Sequence, residues 1–178
     1  MSGSLRLNGS TSGFSEITAP DVAGDQTFTL PAVGGTLPVY QQGVWTPVLS
    51  VGSYATASAY WTRIGNRVEV DVSVTNFTDS TTSSAIELSG LPYDRTTEEF
   101  STQGATRVRY INFDNYVSCG ITSANSIRFY SSNSGDSAVT LNHANIVTAN
   151  KNSAQFMFNL SYLTDDTTFV PINGATIS

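Results

Sequence analysis

The chain has 178 residues, enough for one cored domain plus an extension and too few for two ordinary domains. Only 12% of them are charged, against about 25% in an average soluble protein. The formal charge of −6, with eight basic residues in all, excludes a phosphate-neutralising surface, so no nucleic-acid partner is expected.

Residues 1–40 are read as an arm. Leu5-Arg6-Leu7-Asn8-Gly9-Ser10, then Gly13-Phe14-Ser15-Glu16-Ile17, then Thr27-Phe28-Thr29-Leu30-Pro31 are short alternating apolar pieces cut by Gly or Pro. Each offers strand backbone and one thin apolar face with no partner face of its own. The arm is therefore expected to seek another surface through Ile17, Phe28, Leu30 and Leu37. Pro38, Gln41, Gln42 and Gly43 mark the boundary, and the body, residues 41–178, starts its first strand near Val44.

In the body, alternation predicts strands over 45–51, 60–64, 68–75, 85–88, 107–113, 116–121, 126–130, 138–141 and 155–163, separated by turns rich in Gly, Asn, Asp and Pro. The clearest is 68–75, with Val68, Val70, Val72 and Val74 on one face and Glu69, Asp71 and Ser73 on the other. A short helical turn is allowed only near 96–100, where Glu98 and Glu99 follow a Thr cap. Eight or nine short strands at near-regular spacing predict an all-β fold. It is an antiparallel β-sandwich or jelly roll with an extended N-terminal strand arm. In the last strand Phe156, Phe158, Leu160 and Tyr162 share the core face. The opposite face carries Gln155, Met157, Asn159, Ser161 and Leu163. With apolar residues among uncharged polar ones, it is read either as a subunit interface through Met157, Asn159 and Leu163 or as a face covered by the chain itself.

Chemistry is hard to build from these residues. Cys119 stands alone, so there is no intramolecular disulfide, and it is read as a small buried apolar residue. His143 is the single histidine and is read as a surface residue of the polar loop 141–145. With one His and one Cys, a zinc site would need an unusual set of carboxylates, so no metal or cofactor is expected. The pairs Glu98-Glu99 and Asp165-Asp166 are adjacent and on a strand would point to opposite faces, which suits no shared acid–base site. No enzyme is read in the sequence. The arginines (seven of the eight basic residues) are each read as solvated strand-face groups, with interface contacts as the rival. Tyr54, Tyr93, Tyr116 or Tyr130 near Asn115 or Asn133 could stack on a sugar, but are read first as core edges. Met1-Ser2-Gly3-Ser4 is polar with no apolar run after it, which predicts no signal peptide. No stretch reaches the roughly 20 apolar residues of a membrane span, so no membrane insertion is expected.

Two stretches carry a family resemblance. Gly9 to Gly13, Ala19-Pro20, Thr27-Phe28-Thr29-Leu30-Pro31 and Gly35-Thr36-Leu37 resemble a segment that precedes a β-rich tip in tailed-phage virion proteins. Gly43-Val44-Trp45-Thr46-Pro47, Ala59-Tyr60-Trp61-Thr62-Arg63-Ile64-Gly65-Asn66, Leu88-Ser89-Gly90-Leu91-Pro92-Tyr93 and Phe158-Asn159-Leu160-Ser161-Tyr162 resemble the tip domains of phage fibres and related virion decorations. The resemblance implies a trimeric structural protein made in the host cytoplasm. Because no shaft precedes the arm, the first expectation is a capsid decoration or cement protein. It would stabilise the head, with the major capsid protein as partner and the capsid exterior as its place. The rival expectation is a short tail-fibre tip that recognises a host surface glycan.

Overall fold

The structure, a computed structural model, describes residues 4–18, 38–97, 103–123, 125–132 and 137–178. The chain divides into two units, Met1–Leu37 and Pro38–Ser178.

In the first unit, β1 (Ser4–Asn8) and β2 (Phe14–Thr18) pair antiparallel as a hairpin, and every residue of both strands is exposed. Gly13 takes φ +74° at the turn, a region that glycine enters without a Cβ clash. The two arm strands expected to reach for another surface thus pair with each other. Register puts Leu5 opposite Ile17 and Leu7 opposite Ser15 on one face, with Arg6 opposite Glu16 on the other. Of the expected attachment residues, Ile17 lies on this hairpin, 64% exposed, whereas Phe28, Leu30 and Leu37 lie outside the described residues.

The second unit is all-β and sandwich-like, built on one curled antiparallel sheet. Its strands are β3 (Tyr40–Val44), β4 (Val48–Leu49), β5 (Tyr54–Ile64), β6 (Arg67–Phe77), β7 (Glu87–Ser89), β8 (Gln103–Arg109), β9 (Tyr116–Ser123), β10 (Ser126–Ser132), β11 (Val139–Thr140), β12 (Gln155–Leu163) and β13 (Thr176–Ile177). The order across the sheet is β13-β3-β5-β6-β12-β8-β9-β10-β7-β4, with β11 pairing Tyr130 and Ser131 of β10, beyond the residues that pair with β7. Curling is forced by burial. Phe129 on β10 stands three places from β12, yet its ring lies 4.4 Å from that of Phe156 and 5.3 Å from that of Phe158. The valines of β6 and the aromatic face of β12 fill the interior between these layers, all 5% exposed or less. Burying such side chains contributes about 1.5–3 kcal/mol each, the main driving force for the fold.

Several boundaries differ from expectation. The stretch 38–43, read as a boundary, holds most of β3, a strand paired with β5. Gly43 is there because a neighbour comes close, since a Cβ on it would fall 1.6 Å from the Thr176 carbonyl oxygen of β13. The strand expected over 107–113 runs Gln103–Arg109 and stops where Tyr110 takes φ +55°. Short 3-10 turns occupy His143–Asn145 and Thr148–Ser153. Thr96 and Thr97 are not helical, and Glu98 and Glu99 lie outside the described residues.

Candidate functional site

The outer face of the sheet around β12 forms a shallow trough of about 490 Å³. Register builds it. Asn159 lies between Asp71 of β6 and Ala105 of β8, and Met157 between Ser73 and Arg107. Met157 and Asn159 line the trough, while Leu163, opposite Arg67 on the same strand face, does not. All three are half-buried.

The strand face expected to be uncharged sits in a charged sheet face, because its neighbours supply the charge. The Asn159 amide donates to Glu69 Oε1 at 2.9 Å and to Asp71 Oδ1 at 2.8 Å, which gathers two β6 carboxylates beside each other. Arg107 on β8 is exposed and, among the described residues, has no hydrogen bond or ion pair. On the β6 side the face turns apolar: Val44 pairs across with Tyr60, and Tyr40 with Ile64. These four are 45–59% exposed. From β3 to β8 the surface therefore reads apolar, acidic, neutral, basic. Adjacent strands are about 4.8 Å apart, so the acidic and basic columns, two strands apart, are about 10 Å from each other.

The hairpin is the second candidate surface. Leu5, Leu7, Phe14 and Ile17 are each 55–64% exposed. Arg6 holds the other face through a 3.3 Å ion pair with Glu16 and a guanidinium 3.9 Å from the Phe14 ring centroid. A lone two-stranded ribbon is marginal in water, and the Leu5–Ile17 side of this one is an exposed apolar strip.

Two residues weighed for chemistry are interior. Cys119 is fully buried, and burial pushes its thiol pKa up, away from the nucleophilic thiolate. His143 is fully buried too, which corrects the surface reading. Its Nδ1 faces the Asp79 carbonyl oxygen at 3.4 Å and the Asp79 carboxylate at 3.6 Å, and its Nε2 has no partner among the described residues. The loop looked polar in sequence, but Leu141 and Ile146 on either side are core residues and carry the histidine inward. Asp166 is turned in to Arg63, while Asp165 accepts the Thr97 N–H at 3.3 Å, so the two do not act together.

No family model, curated protein or solved structure matches the chain. The reading of its surfaces therefore rests on their own geometry.

Of the tyrosines weighed for sugar stacking, Tyr93 is buried and donates its hydroxyl to Gln41 Oε1 at 2.8 Å. Tyr54 and Tyr130 are half-buried, the former donating to the Pro47 carbonyl. Tyr116 is 59% exposed, and Asn133 lies outside the described residues. Sequence reasoning passed over a different group, Asn112, Phe113 and Asp114. They line a polar hollow of about 300 Å³ with Thr140 and Asn142. The run Asn112-Phe113-Asp114-Asn115 was legible as an amide- and acid-flanked aromatic, but it was absorbed into an expected strand and turn.

Proposed function

We propose that the chain is a structural protein of a phage virion. It forms a homotrimeric head-decoration knob that stands on the capsid exterior and stabilises the shell through contact with the major capsid protein. The phage assignment is supported by the resemblance of the two sequence stretches above. The single observation that carries attachment is the hairpin Ser4–Thr18, whose leucines, Phe14 and Ile17 are all exposed on a ribbon too small to be stable alone. An exposed ribbon edge also offers unpaired main-chain groups for strand addition to a neighbouring subunit.

Assembly into a ring is supported by the sheet face. A cyclic trimer uses heterologous contacts, in which one patch of each copy meets a different patch of the next. An acidic β6 column and a basic β8 column on one face supply such a complementary pair, and charge complementarity fixes register between partners. The role is one of scaffolding and requires no catalysis.

The test is to locate and count the protein on intact particles. Hundreds of copies on heads support the decoration role, whereas a few tens or fewer at the tail favour the fibre-tip reading. Leu5→Asp with Ile17→Asp should keep the body folded and abolish incorporation, because two unpaired carboxylates would enter an apolar contact. Incorporation of that variant at wild-type occupancy would remove the hairpin as the anchor.

A further inference from the structure

We propose that the hollow beside β10 and β11 binds a single neutral sugar ring. It lies where the chain leaving β8 crosses β11, stapled by the Asn112 N–H to the Asn145 carbonyl at 2.7 Å and by the Asp114 N–H to Ser131 Oγ at 3.0 Å. These bonds fix the backbone and leave the side chains of Asn112 and Asp114 free of hydrogen bonds among the described residues. Thr140 likewise has no side-chain partner among them. The Asn145 N–H donates to the Asn142 main-chain carbonyl at 3.0 Å and faces the Asn142 side chain in a capping box, so the buried Asn142 side-chain oxygen shares that one donor at most and keeps acceptor capacity for a ligand hydroxyl.

The ligand class follows from this inventory. A carboxylate and amide oxygens accept hydroxyl hydrogens, while amide N–H groups and a threonine hydroxyl donate to hydroxyl or ring oxygens. A polyhydroxylated ring is the small molecule that presents donors and acceptors on its rim and C–H groups on its faces. Phe113, 43% exposed at the hollow, supplies the flat apolar surface for such a face. The volume of about 300 Å³ is at the small end of ligand pockets, which run to about 1,000 Å³, and suits one ring rather than a chain held at several subsites. Among the described residues no Lys or Arg lines the hollow and Asp114 does, so an acidic sugar would meet a like charge. This site is independent of how the body is anchored or assembled.

The experiment is a titration of the full-length, isotope-labelled protein with the methyl glycosides of glucose, galactose and mannose, with N-acetylglucosamine, and with glucuronic acid. A neutral sugar is expected to move the amide resonances of residues 112–114 and 139–145, and glucuronic acid to leave them still. Phe113→Ala and Asp114→Asn, both at exposed positions, should keep the wild-type melting temperature and each weaken binding about tenfold or more, the equivalent of about 1.4 kcal/mol. The assignment is overturned if none of the neutral sugars shifts these resonances at tens of millimolar. It is equally overturned if binding survives both substitutions or if glucuronic acid binds as well as glucose.

Discussion

Arg63 and Asp166, 103 residues apart in the chain, meet in a 2.6 Å ion pair with the guanidinium 1% exposed. The same guanidinium donates to the Gly65 carbonyl at 2.7 Å and to the Asp166 main-chain carbonyl at 2.5 Å. It is held between the rings of Phe169, 4.0 Å away, and Tyr93, 4.4 Å away. This corrects the reading of Arg63 as a solvated strand-face residue. It is the peg by which β5 holds the segment after β12. The Asp166 side chain keeps 23% of its exposure, so Arg63→Ala leaves a partly solvated carboxylate, and the loss of the charge-assisted hydrogen bonds should cost about 1.5–3 kcal/mol in denaturant unfolding. Arg63→Lys should recover only part of this, because an ammonium cannot make the forked contacts.

Acid should weaken the body through Asp166 and Asp79. Burial opposes the charge of Asp166, but hydrogen bonds from Thr168, Arg63 and the Phe169 N–H outweigh it and lower its pKa from 3.8 to about 2. The hydrogen bond from the Thr82 hydroxyl, helped by Thr81 and opposed by burial, lowers Asp79 to about 2 as well. Both carboxyls bind a proton less readily folded than unfolded. Their stabilisation is thus full above the unfolded value and lost as the pH falls from about 4 to about 2. Melting temperatures across that window should drop, and Asp166→Asn or Thr82→Ala should flatten the drop while lowering the plateau above it. An unchanged acid limb in both variants would show that other carboxyls govern it.

Legibility of the fold followed how strictly each strand alternates. The strand 155–163 was readable to the residue, and Val68, Val70, Val72 and Val74 all lie in the core, because period-two alternation with branched or aromatic side chains has no competing reading. The strand β3 was not readable. Its Gly43 is a punctuation mark in sequence, yet in space it answers the approach of Thr176, a contact made 133 residues later and invisible to local pattern. Gln103–Arg109 failed for the same reason, with Gly104 packed against the Asn159 carbonyl and Cys119. At the candidate surfaces Met157 and Asn159 were legible as an odd outer face. The carboxylates they sit beside belong to another strand, so only register could supply them.

Gly43→Ala tests that reading of β3. The added methyl would overlap the Thr176 carbonyl and come within 3.0 Å of Trp61 Nε1. Backbone cannot yield as a flexible side chain can, so β13 should be displaced at a cost of about 1–3 kcal/mol, typical of overpacking. The Ser178 amide, which donates to the Gln42 carbonyl at 3.0 Å, should lose hydrogen-exchange protection while amides of β6 keep theirs.

Deleting residues 1–37 should leave a folded body. Among the described residues, every member of the hydrophobic core, from Trp45 to Tyr162, belongs to the unit Pro38–Ser178. Circular dichroism should keep its β signature and melting should stay cooperative. A product that is expanded and melts without a transition would assign part of the core to the deleted segment.

Assembly can be tested by charge on the sheet face. Met157→Asp is a poor probe of the proposed trimer, since the new carboxylate would lie opposite Arg107 and gain a partner within its own subunit. Asp71→Lys and Arg107→Glu are better, because both positions are exposed and neither contributes to the core. In a ring that seats the β6 column of one copy against the β8 column of the next, either substitution alone places like charges in contact. Each single variant should shift the sedimentation profile toward monomer and make the melting temperature more dependent on protein concentration. Combining the two swaps the signs at positions 71 and 107 and should restore attraction between them and hence the trimer, more fully at low salt than at high salt. A double variant no more associated than either single variant would rule out pairing of these columns and direct the search to the apolar patch of Tyr40, Val44, Tyr60 and Ile64.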